Sequence, residues 1–119
     1  MNNTQKLVLF GIKNCDTVKK ARRWLETNGI NYQFHDFRVD GLDKSTINTW
    51  LELVSWQELL NKRSTTWRQI SMEQKETLDQ SSAIDLMVIN PTLIKRPVLV
   101  SDNQIIIGFD KSKYEQLSK

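Results

Sequence analysis

Apolar residues are arranged differently at the two ends of the chain and in its middle. Leu7-Val8-Leu9-Phe10 is a continuous apolar run that closes on Gly11, the pattern of a strand buried on both faces within an α/β sheet. After the loop Gly11-Ile12-Lys13-Asn14-Cys15, the residues Val18, Ala21, Trp24 and Leu25 recur at helical spacing. Asp16 or Thr17 is the expected N-cap of that helix and Gly29 its stop. Residues 32–37 read as a second strand. Strand, helix and strand within about thirty residues make a βαβ unit, which predicts parallel pairing and a right-handed crossover.

The middle of the chain carries helical periodicity. Ile47, Trp50, Leu51 and Val54 follow the i, i+3, i+4, i+7 spacing behind Asp43 or Ser45 as cap. Ser55-Trp56-Gln57-Glu58 and Ser71-Met72-Glu73-Gln74 have the spacing of capping boxes. Ser81 or Ser82 is placed to start a further helix carrying Ala83, Ile84, Met87 and Val88 inward, ended by Asn90-Pro91. Two short apolar runs follow, 97–100 and 104–108, joined by Ser101-Asp102-Asn103 as a hairpin tip, and a last helix spans 110–117. The predicted order is β-α-β, helices, β-β-α: a thioredoxin-like mixed sheet with a helical insertion between the second and third strands. The boundaries are a core of about 6–38 and 90–117 with the insertion at about 43–89, in a single domain over 1–119.

Composition narrows the function classes. At 119 residues a single domain buries about two-thirds of its unfolded surface and needs no disulfide or metal to hold its core. The apolar runs are far too short to span a bilayer, residues 1–6 lack the pattern of an export signal, and a single cysteine forms no intrachain disulfide. A soluble, cytoplasmic protein is expected. The net charge of +3 is too small to imply direct nucleic-acid binding. Its distribution is uneven: residues 1–68 hold eleven Lys/Arg against seven Asp/Glu, and residues 69–119 hold six against seven. The excess gathers in Lys13, Lys19, Lys20, Arg22 and Arg23, opposed only by Asp16, with Cys15 among them.

That cluster gives Cys15 its chemistry. It opens a polar loop at the start of the first helix, where unpaired N–H groups and the positive end of the macrodipole stabilise an anion. Lys13, Lys19 and Lys20 act in the same direction, so the site favours the thiolate, the reactive form of cysteine. The alternative for a lone thiol is a buried, inert side chain, which the polar neighbours Asn14 and Asp16 argue against. His35 lies in the second predicted strand, and one Cys with one His is too few ligands for zinc. Trp24 and Trp50 fall on apolar stripes and are expected in the core. Trp67, beside Arg63 and Arg68, either lines a pocket or packs in the core. Arg22 and Arg23 are expected to be solvated.

Gly11-Ile12-Lys13-Asn14-Cys15-Asp16-Thr17-Val18-Lys19-Lys20-Ala21-Arg22 resembles the active-site loop of the YffB branch of the arsenate reductase (ArsC) family. Asn61-Lys62-Arg63-Ser64-Thr65-Thr66-Trp67-Arg68 resembles that branch's second motif, Ile94-Lys95-Arg96-Pro97-Val98-Leu99 its Arg-Pro strand entry, and Gly108-Phe109 its last strand. The resemblance implies a thioredoxin-like fold, with Cys15 in the place of the nucleophile and Arg96 in that of the arginine before the strand-entry proline. It also implies a cis peptide bond at Pro97 facing the Cys15 loop. Lys13, Asn14, Arg63 and Pro97 are the expected substrate-binding residues.

An arsenate reductase of this type uses further arginines in the second motif and the last strand. Here Arg63 stands two residues beyond the matching Asn61, and Ile106-Ile107-Gly108-Phe109 supplies none. Spx-type regulators often carry Cys-x-x-Cys, whereas position 18 is Val. Without a second thiol in the sequence, a mixed disulfide at Cys15 must be resolved from outside, and glutathione is the abundant anionic thiol suited to a basic pocket. The expected function is a glutathione-dependent thiol–disulfide oxidoreductase, with no tightly bound cofactor, no metal and glutathione as co-substrate. The alternatives are an arsenate reductase working with glutathione and glutaredoxin, and a Spx-like regulator that binds the RNA polymerase α subunit. A monomer is expected.

Overall fold

The apolar run at the start of the chain forms β1 (Val8–Gly11), followed by α1 (Asp16–Thr27) and β2 (Gln33–Asp36). A computed structural model describes residues 6–118, with side chains through residue 117. β1 and β2 pair in parallel, Phe10 opposite His35 and Gly11 opposite Asp36, as the βαβ pattern requires. Two later strands, β3 (Val98–Val100) and β4 (Ile105–Ile107), form the predicted antiparallel hairpin. β3 also lies antiparallel against β1, so the mixed sheet has the order β2-β1-β3-β4. This is the thioredoxin-like β-α-β … β-β-α arrangement.

Alternation along β1 divides its side chains between the two faces of the sheet. On one face Leu7, Leu9, Leu99 and Ile106 meet Ala21 and Leu25 of α1 and the fully buried Tyr114. Trp24, Phe34 and Phe109 pack against that cluster, with the Trp24 and Phe109 rings edge-on to Tyr114. On the other face Phe10 meets His35 with ring centroids 4.8 Å apart, and Phe37 adds a third ring.

The chain divides into two units: one closes at Gly41 and resumes at Arg96, and the other is Leu42–Lys95. In the first, α2 (Phe37–Asp40) continues directly from β2, so the second strand ends one residue sooner than its apolar pattern suggested. Asp36 caps α2 through its side chain. The unit ends with α8 (Lys111–Glu115), capped by Asp110, and a 3-10 turn over Gln116–Ser118.

The second unit is helical. α3 (Lys44–Trp50) is capped by Asp43, α4 (Trp56–Leu59) by the Ser55–Glu58 capping box, and α5 (Thr65–Gln69) by Ser64. α6 (Met72–Glu76) is capped by Ser71, and α7 (Gln80–Ile89) runs to Asn90. Two boundaries differ from the sequence expectation. α3 ends at Trp50 because the following residues tighten into turns, with Leu53 N–H donating to the Trp50 carbonyl, so Leu51 and Val54 lie beyond the helix. α7 is capped by Asp79 and not by either serine: Ser82 N–H donates to Asp79 Oδ1 (2.9 Å) while Asp79 N–H donates to Ser82 Oγ (3.0 Å). That reciprocal pair makes Ser82 the third helical residue. α7 packs on α3 and α4, and Ile47, Trp50, Leu59, Ala83, Ile84 and Met87 are buried.

Candidate active site at the Cys15 loop

Cys15 itself, and not Asp16 or Thr17, is the N-cap of α1. The backbone decides this: Cys15 has extended dihedrals (φ −95°, ψ 126°), and its carbonyl already accepts from Lys19 N–H at 3.0 Å. Side-chain chemistry alone favours Asp or Thr at a cap, which is why the sequence pointed one or two residues downstream. The Cys15 side chain makes no capping hydrogen bond, so Sγ is not consumed in holding the helix. It is half-buried. α1 has 12 residues, enough for its aligned peptide dipoles to favour negative charge at this end.

A tight turn delivers Cys15 to that position. Cys15 N–H donates to the Ile12 carbonyl at 3.1 Å, with Lys13 and Asn14 exposed at the corner. At the base of the turn Gly11 is buried beneath α1, where an added Cβ would come within 2.7 Å of Val18 Cγ2. Lys13 N–H donates to Asp36 Oδ2 at 3.1 Å. Asp36 is buried, and its other oxygen accepts from Arg38 N–H at 2.8 Å. The sequence reading did not single out Asp36. Its position before a short helical turn was legible as a cap, but its bond to a residue 23 positions away depends on the parallel register.

The Arg96–Pro97 peptide bond is cis, as expected. Pro97 is buried, and its carbonyl accepts from Gly108 N–H at 2.8 Å. Because Phe10 pairs with Val98 antiparallel, the chain at Pro97 enters the sheet at the end where β1 leaves it for the Cys15 loop. Arg96, immediately before, is half-buried, with Nε shielded from solvent. The sheet therefore brings the Cys15 turn and the Arg96–Pro97 segment to the same end of its two central strands.

Residues 10–117 match the family model described as ArsC family, a span that takes in the Cys15 turn and the Arg96–Pro97 segment. The chain belongs to the ArsC family. A Haemophilus influenzae relative with no described activity is 45% identical over 109 residues, covering 92% of this chain and 96% of that one. A global transcriptional regulator Spx of Streptococcus pyogenes serotype M3 is 26% identical over 109 residues, covering 90% and 81%. Among solved structures, a YffB protein superposes with a TM-score of 0.88 at 41% identity, covering 93% of this chain and 97% of that one. An arsenate reductase (ArsC) related protein from Brucella melitensis gives 0.77 at 42% identity, covering 100% and 99%. ArsC membership, with relatives of arsenate-reductase and Spx type, supports a thiol-oxidoreductase family.

The remaining sequence candidates divide between the units. Arg63 belongs to Leu42–Lys95, where it is exposed in the turn before α5 and its N–H donates to Asn61 Oδ1 at 3.1 Å. Trp67, in α5, is half-buried with the ammonium groups of Lys75 and Lys62 at 4.9 and 5.7 Å from its ring centre. Arg22 is not a solvated side chain. Its guanidinium lies 4.1 Å over the Phe34 ring, and Nε donates to the Tyr32 hydroxyl at 3.0 Å. Tyr32 in turn donates to Glu26 Oε2 at 2.6 Å, and burial together with that bond raises the phenol's pKa. The α1–β2 packing thus absorbs one arginine of the basic run. His35 sits in β2 with Nε2 2.7 Å from the Gly41 carbonyl, a structural contact. Among the described residues no three His, Cys, Asp or Glu side chains converge as metal ligands, and no helix is long and apolar enough to cross a membrane.

Proposed function

We propose that this ArsC-family protein is a cytoplasmic thiol–disulfide oxidoreductase that uses the Cys15 thiolate as nucleophile and glutathione as co-substrate. The observation that carries this reading is the placement of the sequence's single thiol at the N-cap of α1, with Sγ unspent in capping and the Arg96–Pro97 segment entering at the same end of the sheet. The thiolate attacks the glutathionyl sulfur of a mixed disulfide, forming Cys15–S–S–glutathione and releasing the substrate as a thiolate that takes a proton from water. A second glutathione thiolate then attacks the adduct, giving oxidised glutathione and regenerating Cys15. The net reaction converts one mixed disulfide and one glutathione into one thiol and one oxidised glutathione. No second cysteine in the sequence competes with this external resolution.

Arg96 supplies a planar guanidinium suited to a glutathione carboxylate. Lys13 and Asn14 flank the thiol at the exposed corner, and Pro97 shapes the facing backbone. The test is turnover: formation of oxidised glutathione from a small glutathione mixed disulfide and reduced glutathione, by wild type and by Cys15→Ser. Turnover by wild type alone supports the reading, and equal rates overturn it. The Brucella relative's name favours arsenate as an alternative substrate, read by arsenate reduction with glutathione and glutaredoxin present. The Spx relative favours a regulatory role, read by capture of the RNA polymerase α subunit by wild type and by Cys15→Ser.

A further inference from the structure

We infer that Asp36 is the positioning residue of the Cys15 loop: its buried carboxylate fixes the turn that presents Sγ, and so sets the rate at which Cys15 engages a disulfide. The inference rests on Cys15 being the nucleophile. It begins with register. Asp36 is the β2 partner of Gly11, the last residue before the loop, so its side chain projects where β1 has just ended. There Oδ2 accepts from Lys13 N–H (3.1 Å) and Oδ1 from Arg38 N–H (2.8 Å). Asp36 is only 7% exposed, and a carboxylate so shielded needs such donors. The Asp36 N–H is itself held by Asp40 Oδ2 at 3.0 Å, so the residue is fixed at both backbone and side chain.

Capping α2 accounts for one oxygen only. The bond to Lys13 is separate and reaches across 23 residues. In the turn from Ile12 to Cys15 the internal bond is Cys15 N–H to the Ile12 carbonyl, which leaves Lys13 N–H pointing out of the turn. Asp36 takes that donor. The turn is therefore pinned locally by its own bond and remotely by β2, two residues before the nucleophile. Attack on a disulfide needs the incoming sulfur in line with the S–S bond, so a turn free to rock loses rate even when every thiol is ionised.

Asn at position 36 caps a helix about as well as Asp. However, it has one acceptor oxygen, so its amide NH₂ meets either the Lys13 or the Arg38 N–H, donor against donor. On charge alone, removing a carboxylate eases the approach of the anionic oxidised glutathione. A loss of rate in Asp36→Asn therefore has the sign of positioning.

The test uses the full chain and three variants: Asp36→Asn, Lys13→Pro, which deletes the N–H at a turn position that suits proline, and Lys13→Ala, which deletes the side chain and keeps the N–H. Rates of Cys15 with oxidised glutathione and with iodoacetamide are followed to the high-pH plateau, where the thiol is fully ionised. Amide exchange is read at Cys15, Leu9 and Phe10. Asp36→Asn and Lys13→Pro are each expected to lower the plateau rate with oxidised glutathione about tenfold, the scale of one lost hydrogen bond to a charged group. The double variant is expected to fall no further. The Cys15 amide should exchange faster while Leu9 and Phe10 keep wild-type protection, and Lys13→Ala should retain wild-type exchange at Cys15. An unchanged plateau rate in Lys13→Pro overturns the inference, and so does wild-type protection of the Cys15 amide in Asp36→Asn. If wild type does not react with oxidised glutathione, the proposed function fails instead, and the iodoacetamide plateau with the exchange data still decides the role of Asp36.

Discussion

Gly11 and Val18 meet so closely that a methyl group on Gly11 would fall 2.7 Å from Val18 Cγ2 and 3.3 Å from Cγ1. Gly11 is the last residue of β1, and Val18 is fully buried near the start of α1. The contact fixes how closely the helix that carries Cys15 approaches the strand that feeds it. Replacing Gly11 by Ala must push Val18, and with it the first turn of α1, outward. Overpacking of this kind costs about 1–3 kcal/mol. Urea denaturation of Gly11→Ala should show that loss, and adding Val18→Ala should cost less than the two single changes together. Strict additivity would mean that the two residues do not press on one another.

Tyr114 is fully buried against Trp24 and Phe109, and its hydroxyl finds no hydrogen-bond partner among the described residues. Burial pushes the phenol's pKa well above its ordinary value. Tyr114→Phe should therefore be neutral or stabilising at pH 7, because a buried unsatisfied hydroxyl costs about 1–3 kcal/mol. The pH dependence follows in sign. Above about pH 10 the unfolded tyrosine ionises while the folded one stays protonated, so stability falls as pH rises, by up to about 1.4 kcal/mol per unit for this one group. The difference in stability between wild type and Tyr114→Phe should grow from pH 9 to pH 11 in favour of the variant. A constant difference would show that the hydroxyl is solvated in the folded state.

Arg96→Ala should weaken glutathione capture by Cys15 more than alkylation by iodoacetamide, which carries no charge. A charged hydrogen bond in a partly desolvated site contributes about 1.5–3 kcal/mol, a roughly ten- to hundredfold effect, and less if the site is open. Running both reactions at low and moderate salt separates the cases, since an exposed contact is screened and a shielded one is not. Equal loss in both reactions would mean that Arg96 acts on the thiolate and not on the tripeptide.

What was legible in the sequence is what local pattern encodes. The apolar run before Gly11 and the periodic Val18, Ala21 and Leu25 led to the βαβ unit, and the two runs around Ser101-Asp102-Asn103 led to the hairpin. Ser55 and Asp43 cap where their chemistry suggested. α5 left no such trace because none of its residues is buried, so no apolar stripe marks it. Phe37 reads as the end of a strand by residue type, yet Asp36 turns the chain into α2 at that point. Cys15 was placed near its helix but not as the cap, since cysteine carries none of the usual capping preference. The Lys13–Asp36 bond was out of reach, because it exists only once two strands have found their register.

The measurement that bears most directly on Cys15 as a glutathione-dependent nucleophile is the intact mass of the protein after incubation with oxidised glutathione, beside Cys15→Ser treated alike. One glutathionyl group is expected on wild type and none on the variant. The adduct should persist through removal of small molecules, because the sequence offers no second cysteine to displace it, and it should return to the unmodified mass when reduced glutathione is added. A wild-type protein that keeps its unmodified mass throughout would contradict the proposal and shift the weight to the regulatory reading.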